Sequence, residues 1–281
     1  MKLAQIHFDG HTVAAIIENG GARPIPGYTV SELIHRAEAE SVSLTVLAAK
    51  LASHHAVPAA PLIPIHPAEA WACGCTYETS ASFRDAEHGT REGMYAHVYR
   101  SPRPEIFFKG TARVCVGPGQ PIGIRADSKF TAPEPELAAI LGSRGTILGF
   151  TLANDVSAWD IERENALYLP QSKVYTACCA LGPVIVTADE LVDPYRLEMI
   201  CTITRGAATI FSGQTSTARL HRKLETLVEY LLRANAVPAA SVLLTGTGII
   251  VTEEAALAPG DVVSIRVPEI GELSNAAALV E

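Results

Sequence analysis

Glu134 and Glu136 flank a proline in Pro133-Glu134-Pro135-Glu136-Leu137, and Asp155 closes an apolar run further along. Side chains two apart in an extended chain face the same way, and the two prolines fix φ and favour that extended form at a sheet edge. Gly142-Ser143-Arg144-Gly145 reads as a four-residue hairpin turn. Pairing Leu141 with Thr146 then sets Glu134 opposite Ala153 and leaves Asp155 on the diagonal, about 7–8 Å away. Three carboxylates on one partly buried face repel. At an effective dielectric of ~20 and ~5 Å separation, each pair costs roughly 3 kcal/mol. Protonation, solvent exposure or a divalent cation relieves that cost, and three oxygen donors suit Mg²⁺ or Mn²⁺. A hairpin whose acids simply face water has the same spacing, so spacing alone leaves both readings open.

Other chemistry-bearing residues are thinner on the ground. Glu105 and Lys109, four apart in a strand-like run, share a face. The six cysteines include a C-x-C (Cys73, Cys75) and a vicinal pair (Cys178, Cys179) but no C-x-x-C. That argues for buried thiols in a reducing compartment rather than structural zinc or a disulfide framework. Gly117-Pro118-Gly119 and Gly246-Thr247-Gly248 both lead into strand-like sequence, unlike a dinucleotide fingerprint.

The elements that must carry these residues are mostly strands. Residues 3–8 and 12–17 alternate around an Asp9-Gly10 turn, and Thr29 with Glu32 has capping-box spacing ahead of a helical stretch from Val30 to Leu51. Val57 to Pro67 holds four prolines and reads as an extended linker, placing a boundary near residue 62. Strand-like runs follow at 105–108, 137–141, 147–154, 184–187, 197–204, 242–251 and 262–267. One helical repeat runs through Leu220, Leu224, Leu227 and Leu231. Without strand–helix alternation, a doubly wound parallel sheet is disfavoured. The predicted architecture is α+β and mainly β, with a small N-terminal α+β domain at 1–62 and a large domain at 63–281.

Composition bounds the partners. The 281 residues are 48% hydrophobic, enough for a sizeable core, and the net charge is −8. An acidic chain is a poor match for nucleic acid or an anionic membrane. No apolar run approaches the ~18 residues of a membrane span, and no signal peptide opens the chain, so the expected location is the cytoplasm.

A wider pattern joins these pieces. Asn154-Asp155-Val156-Ser157-Ala158, Asp160-Ile161, Lys173 and Leu181-Gly182-Pro183 resemble the core signature of the fumarylacetoacetate hydrolase superfamily. Phe107-Phe108-Lys109 and Gly246-Thr247-Gly248 fit the same pattern in the same order, across about residues 69–275. The resemblance implies a mixed β-sandwich roll that assembles as a homo-oligomer, a dimer or a dimer of dimers. It also implies a metal site of Glu134, Glu136 and Asp155 for Mg²⁺, with Mn²⁺ or Ca²⁺ as substitutes.

The finer resemblance is to the sugar-acid dehydratase branch, carried by residues 103–109, 164–175 and 179–183. It implies loss of water from a 2-keto-3-deoxy-pentonate, a small 2-oxo acid of sugar-acid catabolism, giving 2-oxoglutarate semialdehyde. Hydrolase and decarboxylase members typically carry a His–Glu dyad in a segment like G-x-N-Y-x-x-H-x-x-E. Here Gly74 to Phe83 puts Ser80 and Phe83 at those two positions, and neither is a general base near neutral pH. Two residues depart from the dehydratase pattern, Thr79 and Trp159, where Arg is common. The resemblance assigns Glu105 and Lys173 to the acid–base steps, and Lys109, Lys173 and Thr247 to the substrate, with Ser80 and Arg84 as further candidates for its oxygens. A C–C hydrolase of the acylpyruvate or fumarylacetoacetate type, or an oxaloacetate-type decarboxylase, is the alternative, favoured if His88 replaces the dyad. A non-catalytic, metal-stabilised binding protein is the third reading.

Overall fold

A computed structural model describes residues 1–18, 21–87, 93–191 and 193–281. The strands in chain order are β1 (Lys2–Phe8), β2 (His11–Glu18), β3 (Gly21–Ile25), β4 (Ala70–Gly74), β5 (Glu105–Gly110), β6 (Cys115–Val116), β7 (Ile122–Arg125), β8 (Thr131–Ala132) and β9 (Pro135–Leu141). They continue as β10 (Ile147–Asp155), β11 (Ser157–Ala158), β12 (Cys179–Thr187), β13 (Glu198–Arg205), β14 (Ala208–Ser216), β15 (Ser241–Leu244), β16 (Val262–Val267) and β17 (Gly271–Val280). The helices are α1 (Val30–Ala39), α2 (Leu44–Leu51), α3 (Glu78–Glu87), α4 (Met94–Arg100), α5 (Trp159–Glu164), α6 (Leu169–Lys173) and α7 (Leu224–Leu232).

The larger sheet runs β3-β2-β1-β12-β10-β9-β15-β4-β5, with β6 added beside β12, and a second sheet runs β14-β13-β16-β17-β7. Both mix parallel and antiparallel pairs, as expected for a mainly β, α+β fold. Leu152 and Val186 of the larger sheet pack with Cys201, Ile203, Val263 and Ile265 of the second, and Leu227 of α7 closes that core. The opposite face of the larger sheet is covered by α1 and α2, where Leu33, Ile34 and Leu47 meet Ala138, Ile140 and Leu181. Sandwiched on both faces, β9 is buried along its whole length. Its alternate residues divide between the two cores.

The N-terminal segment reads as anticipated at its start. Thr29 caps α1 with a reciprocal Glu32 contact, and β1 pairs with β2 around Asp9-Gly10. β1 also pairs with β12, so sheet hydrogen bonds join the two sides of the boundary expected near residue 62. The proline-rich stretch does not hang in solvent. Ile63 and Ile65 are buried, and Gln5 Nε2 donates to the Ile63 carbonyl at 2.9 Å.

Several local expectations need correction. β9, whose prolines suggested a sheet edge, lies between β10 and β15 inside the sheet. Leu141 pairs with Ile147, not Thr146, and a second shift between Ile147 and Gly149 sets Glu136 opposite Ala153. Each slip moves the register by one, so together they preserve which side chains share a face. The helix begins at Leu224, leaving Leu220 in the turn before it, partly buried against the core. The strand from 242 stops at Leu244 because Gly246 turns to φ +94, where an added Cβ would lie 1.9 Å from Thr76 Oγ1. Among the described residues, no helix is long and apolar enough to cross a membrane.

Candidate active site

β9 and β10 deliver the acids together. The Asp155 N–H donates to the Glu134 carbonyl at 2.9 Å, so these residues lie side by side rather than on a diagonal. Glu134, Glu136 and Asp155 are all buried, and each offers an oxygen within 4.8 Å of the others'. The same turn that ends β15 serves the cluster: the Gly246 N–H donates to Glu136 Oε2 at 2.6 Å. Among the described residues, Glu136 Oε1 has no hydrogen-bond partner.

Two ammonium groups reach the cluster, and both lysines are 0% exposed. Lys173, at the end of α6, donates to Glu134 Oε2 at 2.9 Å, Asp155 Oδ2 at 3.2 Å and Ser157 Oγ at 2.5 Å. Lys109, from β5, pairs with Asp155 Oδ1 at 2.5 Å and donates to the Val156 carbonyl at 3.1 Å. Burying an unpaired ammonium costs several kcal/mol, so these contacts hold both lysines in place. Burial pulls each lysine's pKa down, but the facing carboxylates, Asp155 first, more than reverse it. Burial works to raise Asp155, and Lys109 and Lys173 hold it below the usual range. Glu136 goes the other way, pushed well up by burial and then by the Asp155 and Glu134 charges.

Arg84 on α3 ties this cluster to a second one. Its guanidinium lies 3.5 Å from Glu134 Oε1, 3.7 Å from Glu105 Oε2 and 3.5 Å from Glu162 Oε1. These are ion-pair distances rather than tight hydrogen bonds. The rings of Tyr95 and Trp159 flank it at 5.6 and 5.5 Å, a cation–π arrangement. Trp159, where the resembling branch tends to carry Arg, also donates its Nε1–H to Glu134 Oε1 at 2.9 Å.

Glu105 opens β5 directly opposite Gly74, and its carboxylate occupies the space a Cβ there would need, 2.0 Å from Oε2. Burial raises its pKa above the ordinary carboxylate value, with Arg84 opposing. Lys109 shares its strand face but reaches Asp155, so the cation beside Glu105 is Arg84. A cavity of about 410 Å³ opens next to it, lined by Tyr95, Pro104, Glu105, Glu162 and Leu169 among others.

Contacts thus join Glu105, Arg84, Lys109, Lys173, Glu134 and Asp155 in one network, with Glu136 inside the same acid cluster. Thr247 is buried beside Gly246, its Oγ1 engaged with Ile249 of its own loop. Ser80 is buried one helical turn before Arg84. His88, the candidate substitute for the dyad, lies outside the described residues. Glu162 escaped the sequence reading. It is buried on α5, accepts from Ser172 Oγ at 3.3 Å and lies 3.9 Å from Lys173 Nζ. Its only sequence signal is an acid three residues after Trp159, too common a feature to single out.

The donor set fits a hard divalent cation. Five carboxylates (Glu105, Glu134, Glu136, Asp155, Glu162) stand against three cations (Arg84, Lys109, Lys173), an excess of two negative charges when all are ionised. All three candidate ligands are oxygen donors, and among the described residues Glu136 retains an oxygen with no donor.

The chain resembles known proteins over most of its length. Residues 76–277 match the model of the fumarylacetoacetate hydrolase C-terminal family. A 2-dehydro-3-deoxy-D-arabinonate dehydratase from Saccharolobus solfataricus is 46% identical over 213 residues, 75% of this chain and 72% of that one. A probable 2-keto-3-deoxyxylonate dehydratase from Haloferax volcanii is 44% identical over 218 residues, 78% and 75% of the two chains. The solved structure of a 2-keto-3-deoxy-D-arabinonate dehydratase complexed with magnesium and 2,5-dioxopentanoate superposes with a TM-score of 0.85 at 36% identity, covering 100% of both chains. Matched by the family model over most of its length and by full-length structural likeness, this chain belongs to the fumarylacetoacetate hydrolase family.

Proposed function

We propose that this protein is a Mg²⁺-dependent dehydratase of a 2-keto-3-deoxy-pentonate, releasing water and 2,5-dioxopentanoate, the semialdehyde of 2-oxoglutarate. The observation that carries the reading is the 46% identity with the arabinonate dehydratase, over a stretch three-quarters the length of this chain. The acid cluster and its surplus charge supply the chemical reason.

Glu134, Glu136 and Asp155 hold the ion in this reading. When bound, Mg²⁺ supplies a Lewis acid for the carboxylate and keto oxygens of a 2-oxo acid, which acidifies its C3 hydrogens. Glu105 and Lys173 divide the two proton transfers: one removes a C3 proton and the other protonates the departing C4 hydroxyl. Lys109 fixes Asp155 and faces the bound acid, and Thr247 receives the substrate carboxylate. Ser80 and Arg84 reach its hydroxyls from α3. Trp159 and Tyr95 screen Arg84 from water and so keep its charge effective. Residues 1–62 act as a unit docked through β1, and the chain works as a homo-oligomer, which sedimentation checks.

The test is a panel of 2-oxo acids offered to metal-stripped protein with and without Mg²⁺, with products identified by mass and NMR. A 2-keto-3-deoxy-pentonate should lose water only when Mg²⁺ is supplied, and acylpyruvates should stay whole. Chain cleavage, or full turnover in excess chelator, contradicts the proposal.

A further inference from the structure

The proposed reaction moves more protons than Glu105 and Lys173 account for. Removing one C3 proton and the C4 hydroxyl leaves 5-hydroxy-2-oxopent-3-enoate, whose C5 still carries two hydrogens and a hydroxyl. The product has an aldehyde at C5 and methylene groups at C3 and C4. One C5 proton must therefore leave to a base, its electron pair forming C4=C5 while the C3=C4 pair moves to C2–C3 and charge to the C2 oxygen. Protons then return to C3 and C4, and the C5 hydroxyl proton departs as C5=O forms. Nothing is oxidised overall, and water is the sole leaving group.

We infer that Glu162 is the base that takes the C5 proton, a second proton-transfer residue that acts after water has left. This rests on the dehydratase reading. With C1 and C2 at the acid cluster, C5 is the far end of the substrate and points away from Glu134, Glu136 and Asp155. The neighbouring cavity is walled by two carboxylates among its lining residues, Glu105 and Glu162. Glu162 is only 1% exposed to solvent, yet it borders that space. It comes from α5, whereas Glu105 comes from β5, so the two approach a bound chain from different elements. Arg84 at 3.5 Å and Lys173 at 3.9 Å face its two oxygens, and Ser172 Oγ lies at 3.3 Å. Those contacts link Glu162 to Lys173, through which a proton taken from C5 can return to the substrate chain.

The experiment follows ¹H NMR of wild type and Glu162→Gln with Mg²⁺ and a 2-keto-3-deoxy-pentonate. The variant should still consume substrate, but aldehyde should form slower by about 10²–10⁴-fold. The vinyl protons of the 3-enoate should accumulate instead. Glu162→Asp, which keeps the charge on a shorter arm, should recover part of the aldehyde rate. It also carries the test if Glu162→Gln does not fold, through a transient vinyl signal absent from wild type. Aldehyde formed by Glu162→Gln at the wild-type rate overturns the inference. So does equal loss of substrate consumption and aldehyde without vinyl signal, which means Glu162 only positions Arg84 and Lys173. A wild-type protein that releases no water refutes the dehydratase reading itself and is told apart by that result.

Discussion

Just before β16, the central strand of the second sheet, Asp261 accepts from Arg205 through both carboxylate oxygens at 2.8 Å and from the Ala258 N–H at 2.8 Å. In the acid cluster, Glu136 accepts from one backbone N–H and, among the described residues, keeps an oxygen without a donor. Both carboxylates are 1% exposed. Their surroundings differ. Asp261 has one matched cation, and that match holds its pKa below the usual range, while deep burial first, and then the neighbouring acids, push that of Glu136 up. A matched pair contributes to stability by itself. A buried surplus of negative charge costs stability unless something outside the chain completes it, and such sites are where proteins exchange stability for function.

Breaking the unmatched cluster should have the largest effect. Asp155→Asn should abolish Mg²⁺ binding and cut turnover at least as far as loss of a proton-transfer group, about 10²–10⁴-fold. Glu105→Gln and Lys173→Met should each lose about 10²–10⁴-fold in kcat. Glu105→Gln should leave metal affinity unchanged. If one of the pair is the C3 base, its variant should also stop exchanging the C3 protons of 2-oxobutyrate with deuterium, while the other still exchanges them.

Stability should move in opposite directions at the two places. In metal-free protein, Glu136→Gln removes a buried carboxyl whose ionisation the fold disfavours and should raise the melting temperature by a few degrees at neutral pH while abolishing turnover. Asp261→Asn loses charge-assisted hydrogen bonds worth about 1.5–3 kcal/mol and should melt lower. The half-exposed Arg205 sets that loss at the smaller end.

The smallest effects lie in pH dependence. Asp261 is depressed in the folded state, so its contribution is complete above the unfolded value near ~3.9 and vanishes as pH falls through the lower folded value. The gap between wild type and Asp261→Asn should thus stay constant at neutral pH and close only in acid. Glu105 has the opposite sign. Its pKa is raised by burial, so its ionisation costs folded stability as pH climbs from about 4.3 through the raised value. Glu105→Gln should remove that decline.

How much of this was written in the chain depends on how local each feature is. The acid face was legible because strand side chains alternate, and parity survives two one-residue slips that moved the actual partners. The capping box at Thr29 and Glu32 was legible because it needs four consecutive residues. The Gly246 N–H facing Glu136 was not, since it depends on a positive φ against Thr76, in the loop between β4 and α3 far away in sequence. Arg84 meeting Glu162 was equally hidden, because α3 and α5 become neighbours only once the sheets close. The same holds for Lys109, whose strand face was right but whose partner lies on β10.

The claim that everything else leans on is that Glu134, Glu136 and Asp155 complete their charge with one divalent cation. Calorimetric titration of metal-stripped protein with Mg²⁺ and Mn²⁺ measures it directly. One ion per chain should bind wild type, raise its melting temperature by mass action, and do neither in Glu136→Gln or Asp155→Asn. Equal binding by wild type and both variants, or no binding by wild type, contradicts it.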